Sequence, residues 1–257
     1  MCMCLEDTSR RRLLVLSPSA THSRLQQLAP SMRILILGGS GRVGKLVVQG
    51  ALARGHTVTA LVRDEASLAA VSNANGALTV VKGQPQDQAD VERAFVAVPN
   101  DAPQAVVVTL NSARTSDNPF AKQLSPPTLM HDAHVNVLAA MKTHGTPKIV
   151  TLQAHGVGDS FATLFLPVKM LVRYSNMGVG YKDHEQVEHI IKQSGLSYVL
   201  ARPARFVPGP SSPLHFYGNT GEGIGSLKTA TRDSVATFLL DAVEKDDWNG
   251  TAPVMSN

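Results

Sequence analysis

Residues 33–52, with the sequence RILILGGSGRVGKLVVQGAL, give the strongest indication of the fold. Its apolar beginning predicts a buried β-strand, four glycines follow within seven residues, and its end has the composition of a helix. A strand, a glycine turn and a helix in this order hold the pyrophosphate of a dinucleotide, because glycine lets the backbone approach the phosphates and the helix directs N–H groups at them. We therefore predict that this turn binds a dinucleotide through Gly38, Ser40, Gly41, Arg42, Val43 and Gly44.

The second apolar run, HTVTALV at residues 56–62, predicts which dinucleotide is bound. Its end is the position where a dinucleotide fold places the residue that meets the adenosine ribose, and Arg63 stands there. A guanidinium forms paired hydrogen bonds with a 2′-phosphate, which favours NADP, and Arg42 offers a second cation. Asp64 follows directly and leaves NAD as the less favoured alternative, since a carboxylate suits a 2′-hydroxyl.

The length and composition of the chain argue against several classes of protein. With 257 residues the chain is long enough for one domain with a full core. The net charge of +4 is small and dispersed and gives no reason to expect nucleic acid. No apolar run reaches the length of a membrane span, so no membrane partner is expected. The only cysteines, Cys2 and Cys4, predict no disulfide or metal framework, and a reducing, cytoplasmic location is the default expectation.

Residues 1–31 differ from the remainder of the chain. They hold the run Arg10-Arg11-Arg12 and several Ser, Thr and Gln residues, and no acidic residue occurs from Thr8 through Arg63. We expect a disordered leader or a transit-like extension, and a mitochondrial location follows if it is a transit peptide. Residues 32–257 are expected to form a single NAD(P)-binding domain, which would begin at Met32.

Strand and helix patterns alternate along this domain. The alternation predicts an α/β fold, a Rossmann-type doubly wound parallel sheet, with a small C-terminal substrate-binding region. A turn-rich flap near residues 206–228, the segment 156–177 and a long polar loop at 111–127 are expected to border the ligand. The predicted strands are 33–37, 56–62, 78–81, 105–110, 148–152 and 196–202, and the predicted helices are 45–52, 88–98, 128–145, 161–171, 183–194 and 233–243.

Several motifs together resemble one family. Three motifs follow the glycine turn in the order seen in NAD(P)H-binding atypical short-chain dehydrogenases. They are Val62-Arg63-Asp64, then Ser194-Gly195-Leu196-Ser197-Tyr198 with Arg202-Pro203, and then the segment 232–236. The glycines fit both an ordinary Rossmann spacing and the short-chain dehydrogenase spacing. The chain is most similar to the NmrA-like and flavin reductase/biliverdin-IXβ reductase-like group, over Met32 to Asn257. The resemblance implies a nicotinamide cofactor and a small-molecule substrate.

The chain departs from the family in its acid–base residues. Active short-chain dehydrogenases generally use Tyr-x-x-x-Lys, in which the lysine lowers the phenol pKa. None of the four tyrosines here precedes a lysine at that spacing. Gly180 occupies the position expected for the tyrosine, and His184 occupies the position expected for the lysine. The usual carbonyl–alcohol chemistry is therefore not expected. Flavin and biliverdin reductases also lack the pair, since their hydride transfer depends on proximity and solvent can supply protons.

Other residues are candidates by their position after strands. His155, His184 and Tyr181 are the candidate catalytic residues, although each histidine could equally be a plain loop or helix residue. His131 and His134 are three residues apart, but without a third ligand we expect no metal site there. Further expected cofactor contacts are Leu110, Asn111, Gln153, Pro203 and Arg205.

These observations support three functions. The first is an NADPH-dependent reductase that transfers hydride to a small planar conjugated acceptor such as a flavin, a quinone or a polyketide-like aromatic. The second is a non-catalytic, NmrA-like dinucleotide sensor that regulates a partner protein. The third is a dehydratase or isomerase with His155 or His184 as base. The sequence leaves a monomer and a homodimer open.

Overall fold

The computed structural model describes residues 31–71, 73, 76–116 and 118–257. The expected leader at residues 1–31 therefore lies, apart from Ser31, outside the described residues. Within the described part, no helix combines the length and the apolar character needed to cross a membrane.

The main feature of the fold is an eight-stranded sheet with the order β3-β2-β1-β4-β5-β6-β10-β8. All neighbouring pairs are parallel except β10 and β8. A separate parallel pair joins β7 and β9. The strands are β1 Arg33–Leu37, β2 Thr57–Val62, β3 Leu78–Lys82, β4 Ala105–Val108, β5 Lys148–Leu152, β6 Ser197–Pro203, β7 Arg205–Val207, β8 His215–Phe216, β9 Thr229–Thr231 and β10 Val254–Ser256.

Helices cover both faces of this sheet. They are α1 Arg42–Ala53, α2 Gln88–Phe95, α3 Leu129–His144, α4 Leu166–Tyr174, α5 Met177–Lys192 and α6 Arg232–Glu244, with two 3-10 helices at Glu65–Leu68 and Gly158–Thr163. Because successive side chains of a strand point to opposite faces, Ile34 and Ile36 of β1 pack with α1 and α6. Leu35 and Leu37 pack with α2, α3 and α5. The predicted doubly wound α/β fold is confirmed.

The chain order reverses between β1 and β4. β2 and β3 lie on one side of β1, while β4, β5 and β6 lie on the other. In an open parallel sheet the crevice at this reversal, outside the carboxyl ends of the strands, is where ligands bind. The glycine turn after β1 and the segments after β4 and β5 therefore meet at one edge of the sheet.

Several predicted element bounds are wrong. α1 begins at Arg42 rather than residue 45, α2 ends at Phe95 rather than 98, and β4 ends at Val108 rather than 110. α5 begins at Met177, six residues before the predicted start, because two glycines in its first turns hid the helical pattern. The predicted helix at 161–171 is a 3-10 turn followed by α4. Within the expected loop at 111–127, Arg114 and Gln123 form an antiparallel bridge.

Helix ends show which local signals are reliable. Thr231 caps α6 by accepting a hydrogen bond from the Ser234 backbone N–H, and Gly145 ends α3 in the left-handed region at φ +69°. Threonine at an N-cap and glycine after a helix end are residue types that favour these positions. Thr128 does not cap α3, since its hydroxyl donates instead to Asp132.

Candidate active site

The glycine turn forms a close-packed cradle after β1. The Gly41 backbone N–H donates to the Gly38 carbonyl at 2.9 Å. A β-carbon on Gly44 would lie 2.0 Å from that same carbonyl oxygen, and one on Gly38, which has φ +81°, would lie 2.9 Å from the Thr109 backbone. Only glycine fits at these two positions. The chain is thus held tightly enough for its backbone to approach a bound phosphate.

The start of α1 suits an anion. Gly41 is its N-cap, no side chain caps the first turn, and no acidic residue lies in it. The first N–H groups of a helix lack intrahelical partners and carry the positive end of the helix dipole. Gly41 and Arg42 are exposed, whereas Val43 and Gly44 are buried. The residues predicted to bind pyrophosphate therefore fit a dinucleotide in geometry and in charge.

A cleft lies at the carboxyl ends of β2 and β3. Its volume is about 460 Å³, and it is lined by Arg63, Lys82, Gly83, Gln84 and Asp90. Arg63 was predicted from sequence, while Lys82 was missed, although its place at the end of β3 could have indicated it. Within the described ranges, no side-chain hydrogen bond or ion pair engages the Arg63 guanidinium or the Lys82 ammonium. Two cations therefore face one cleft.

The acidic residues around this cleft already have partners. Asp64 accepts a hydrogen bond from the Ala66 backbone N–H at 3.1 Å and caps the 3-10 helix at Glu65–Leu68. Asp90 accepts from the Gln84 backbone N–H at 2.7 Å and pairs with Arg93 at 2.6 Å. The backbone N–H of Gln84, and then Arg93, hold the pKa of Asp90 below its usual value. The Asp64 carboxylate, which had left NAD as an alternative cofactor, is therefore already hydrogen-bonded within its own turn.

Three buried polar atoms lie on the segments after β4 and β5 and on α5. Ser112 Oγ, Gln153 Oε1 and His184 Nδ1 have no hydrogen-bond partner in the described part of the chain. The Gln153 amide donates from Nε2 to the His184 carbonyl at 3.3 Å, and a β-carbon on Gly180 of α5 would lie 3.9 Å from Ser112 Cβ. An unpaired buried polar group costs about 1–3 kcal/mol. A polar ligand that pairs with these atoms would remove that cost.

This group includes one residue that sequence reasoning missed. Asn111 was predicted as a contact, but it is exposed, and its neighbour Ser112 is the buried residue. Leu110 is half-buried between Thr109 and Asn111. Gln153, which was predicted, lies 3% exposed, and its backbone N–H donates to the Ala201 carbonyl at 2.7 Å. The structure therefore fixes Gln153 between β6 and α5.

His184 is buried and neutral. Burial, and then the nearby His134, lowers its pKa from 6.5 to about 4. The pKa of His134 is also lowered to about 4, chiefly by burial. His134 Nδ1 lies 2.6 Å from the Met130 carbonyl oxygen and must donate to it, so that Nε2 accepts from the Thr151 hydroxyl at 3.2 Å. Near neutral pH His184 offers a hydrogen-bonding atom rather than an acidic proton.

Asp183, the residue before His184, stabilises the start of α3. Asp183 accepts hydrogen bonds from the Met130 and His131 backbone N–H groups at 2.8 and 2.9 Å, and so caps the start of α3. Burial raises the pKa of Asp183 although both bonds oppose the change. Because Asp183 holds α3 against α5, it fixes the position from which His184 faces Gln153.

His155 and Tyr181 form a second set of contacts. His155 Nε2 lies 3.0 Å from the Thr163 hydroxyl, which in turn lies 2.8 Å from the Thr220 carbonyl oxygen. Burial, and then the charge of Arg202, lowers the pKa of His155. The Tyr181 hydroxyl donates to the His155 carbonyl at 3.1 Å, and burial raises its pKa. Both side chains thus help to hold the loop after β5 in place.

Arg202 links this loop to its surroundings. It is fully buried, and its guanidinium donates to Glu188 at 2.7 Å, to the Asn219 carbonyl at 2.7 Å and to Asp159. Lys192 completes the pairing of Glu188 at 2.6 Å. These contacts join β6, α5, the 3-10 helix at Gly158–Thr163 and the C-terminal flap.

The two cofactor contacts predicted at the end of β6 and beyond it, Pro203 and Arg205, differ in exposure. Pro203 is buried, and its carbonyl accepts from the His155 backbone N–H at 3.1 Å. Arg205 is exposed on β7. The segment near 206–228 contains β8, whose pairing with β10 ties it to the edge of the sheet. No group of three metal-ligating residues occurs in the described ranges.

The family follows from a match over most of the chain. A family model described as NAD(P)H-binding matches residues 38–246, from the glycine turn to the end of α6. The chain therefore belongs to this NAD(P)H-binding, oxidoreductase-like family, and the expected membership in the atypical short-chain dehydrogenases is confirmed.

Three individual proteins are similar to the chain. A divinyl chlorophyllide a 8-vinyl-reductase of Cucumis sativus, named as chloroplastic, is 24% identical over 225 residues, which cover 83% of this chain and 50% of that protein. The chain thus spans about half the length of that relative. An anaerobillin reductase of Escherichia coli O157:H7 superposes with a TM-score of 0.69 at 19% identity, covering 87% of this chain and 96% of that one. A short-chain dehydrogenase/reductase of Veillonella parvula in complex with NADP gives 0.66 at 15% identity, covering 88% and 94%. At these identities the two structures show the fold alone.

Proposed function

We propose that this protein is an NADPH-dependent reductase that transfers hydride to a small planar conjugated acceptor such as a flavin, a quinone or a polyketide-like aromatic. The observation that carries the proposal is the set of three buried, unpartnered polar atoms on Ser112, Gln153 and His184. They lie after β4 and β5 and along α5, at the end of the crevice away from the adenosine cleft. A nicotinamide ribose and carboxamide offer donors and acceptors that suit all three.

The choice of NADP over NAD is supported by the adenosine cleft. Arg63 and Lys82 line it together, and the Asp64 carboxylate caps a local helix. A 2′-phosphate would pair with both cations, whereas a 2′-hydroxyl would offer them no negative charge. The NADP complex of the Veillonella parvula protein agrees with this choice.

The residues around the cofactor position it more than they exchange protons. A bound nicotinamide supplies the hydride. The rate of hydride transfer then depends chiefly on how closely the acceptor stacks on the nicotinamide. His184 is neutral near pH 7, since its pKa is about 4, and the Tyr181 proton is held by a carbonyl. We therefore infer that Gln153, Ser112 and His184 orient the cofactor. Solvent then supplies the proton that the acceptor takes up. This division suits acceptors that take up protons from water.

Titration and turnover test the proposal. Purified protein should bind NADPH more tightly than NADH in calorimetry and should oxidise NADPH when flavins, quinones and aromatic ketones are added. Arg63→Ala should weaken NADPH binding and leave NADH binding nearly unchanged. Measurable NADPH binding with no oxidation across that panel would contradict the reductase.

One observation favours a second candidate, the dinucleotide sensor. Neither His155 nor His184 has a raised pKa that would suit a general acid, because burial lowers both. A sensor needs no such group. It should retain a protein partner in a pull-down that depends on NADPH and show no turnover. A lowered pKa also makes an imidazole a weaker base, which disfavours a dehydratase or isomerase with either histidine as its base.

The location of the protein depends on the segment before the domain. We propose the cytoplasm, with organelle import through residues 1–31 as the alternative. The chloroplast named for the cucumber relative keeps import open. Fractionation of cells that express the full chain and the chain from Met32, each with a C-terminal tag, would separate the two.

A further inference from the structure

One face of α4 carries large apolar side chains that point into solvent. Leu166, Met170 and Tyr174 follow one another at four-residue spacing and are 67%, 47% and 71% exposed. Residues four apart on a helix lie above one another, so these three form one row. The opposite side of α4 packs inward through Val172. The exposed row therefore runs along one side of the whole helix, from its first residue to its last.

A second row on the same face is basic. Lys169 and Arg173 are also four residues apart and lie beside the apolar row. The Lys169 ammonium donates to the Ala162 carbonyl at 2.7 Å, and the Arg173 guanidinium lies 5.6 Å from the centre of the Phe161 ring. From Ser160 to Lys182 the sequence contains no aspartate or glutamate. The face is consequently positive as well as apolar.

The loop before α3 extends this surface. The Asn176 amide donates to the Phe120 and Ala121 carbonyls at 3.1 and 3.0 Å, which holds the loop beside the end of α4. Phe120 is 64% exposed there, and Phe165 at the other end of α4 is 46% exposed. We call the set of Phe120, Phe165, Leu166, Lys169, Met170, Arg173 and Tyr174 the α4 face.

We propose that the α4 face docks on the surface of an anionic lipid bilayer. Helices that lie in a membrane interface combine large apolar side chains with Lys or Arg and use both apolar burial and attraction to acidic headgroups. The α4 face has both features. A twofold contact with a second copy would place Lys169 and Arg173 of both chains against one another, which disfavours that occupant. Surface docking needs no membrane-spanning helix, and it does not depend on the reductase proposal.

Vesicle sedimentation tests this inference. The full chain is mixed with vesicles of phosphatidylcholine alone or of phosphatidylcholine with phosphatidylglycerol. We expect sedimentation with the second kind only, weakened by added salt because exposed charges are screened. Leu166→Gln with Met170→Gln should lower the vesicle partition coefficient roughly tenfold or more, since Gln keeps helix propensity while removing apolar contact. Lys169→Gln with Arg173→Gln should lower it to a similar extent and remove the salt dependence.

Controls separate docking from general stickiness and from unfolding. Val135→Gln removes a 45% exposed apolar side chain on α3 and should leave sedimentation unchanged. Thermal unfolding of each variant shows that it is folded, and the single variant Leu166→Gln serves if the double variant is not. Wild-type protein that stays in solution with both kinds of vesicle overturns the proposal. Equal binding by the wild type and the α4 variants also overturns it, as does a dimer that dissociates in those variants without vesicle binding.

Discussion

The carbonyl oxygen of Gly38 occupies the space that a β-carbon on Gly44 would need, since the two would lie 2.0 Å apart. This contact brings the start of α1 against the end of β1 and shapes the dinucleotide cradle. The Gly44→Ala variant should therefore lose NADPH binding by at least about tenfold, because the turn must open to admit the methyl group. Calorimetry measures this. Gly225→Ala, where the nearest atom would be 3.7 Å away, is the matched control and should bind like wild type.

The paired cations predict cofactor discrimination. Arg63→Ala and Lys82→Ala should each raise the Kd for NADPH by roughly tenfold to a hundredfold, the range expected for a lost hydrogen bond to a charged group. NADH binding should change little. Lys142→Ala, on the exposed side of α3, is the control for a general loss of positive charge. Equal losses for NADPH and NADH would mean that the cations do not read the 2′-phosphate.

Ser112 offers a test in which stability and binding change in opposite directions. Its hydroxyl is buried and has no partner within the described residues, so Ser112→Ala should leave the free energy of unfolding without cofactor unchanged or higher. NADPH affinity should fall by about tenfold, because the proposed function makes the hydroxyl a hydrogen-bonding partner of the cofactor. Urea unfolding and calorimetry measure the two quantities. A variant that is destabilised and binds NADPH normally would assign Ser112 to structure alone.

The two buried histidines predict sensitivity to acid. Both pKa values fall from 6.5 in the unfolded chain to about 4 in the fold. The unfolded state binds more protons in this window, so stability is full above pH 6.5 and is lost as the pH falls toward 4. The loss is at most roughly 3 kcal/mol for each histidine. His184→Gln should flatten the pH dependence of urea unfolding by about half, and an unchanged slope would contradict the burial of a neutral imidazole.

The buried Arg202 predicts a non-additive stability effect. Arg202→Leu leaves Glu188 buried with only Lys192 as partner and should cost roughly 3–5 kcal/mol of unfolding free energy. Adding Glu188→Leu should recover part of this loss, because the uncompensated charge is gone. A double-mutant cycle by urea unfolding measures the coupling. Strictly additive losses would show that the two side chains do not depend on each other.

The parts of the site that depend on local sequence could be predicted, and the parts that depend on packing could not. The glycine turn and Arg63 follow from neighbouring residues and from the end of a strand. α5 was placed too late because Gly178 and Gly180 argue against a helix, yet a β-carbon on Gly178 would lie only 2.5 Å from the Val172 carbonyl oxygen. Ser112 was missed because only the approach of α5 buries it rather than Asn111. β8 and β10 are too short to show a pattern and exist through their pairing.

The most direct test of the central claim, that the cradle and the Arg63 cleft hold NADPH, is calorimetric titration of NADPH and of NADH into the wild-type protein. We expect saturable binding with a lower Kd for NADPH, and loss of that preference in Arg63→Ala. Titrations without heat for both nucleotides, confirmed by an unchanged melting temperature in their presence, would contradict it.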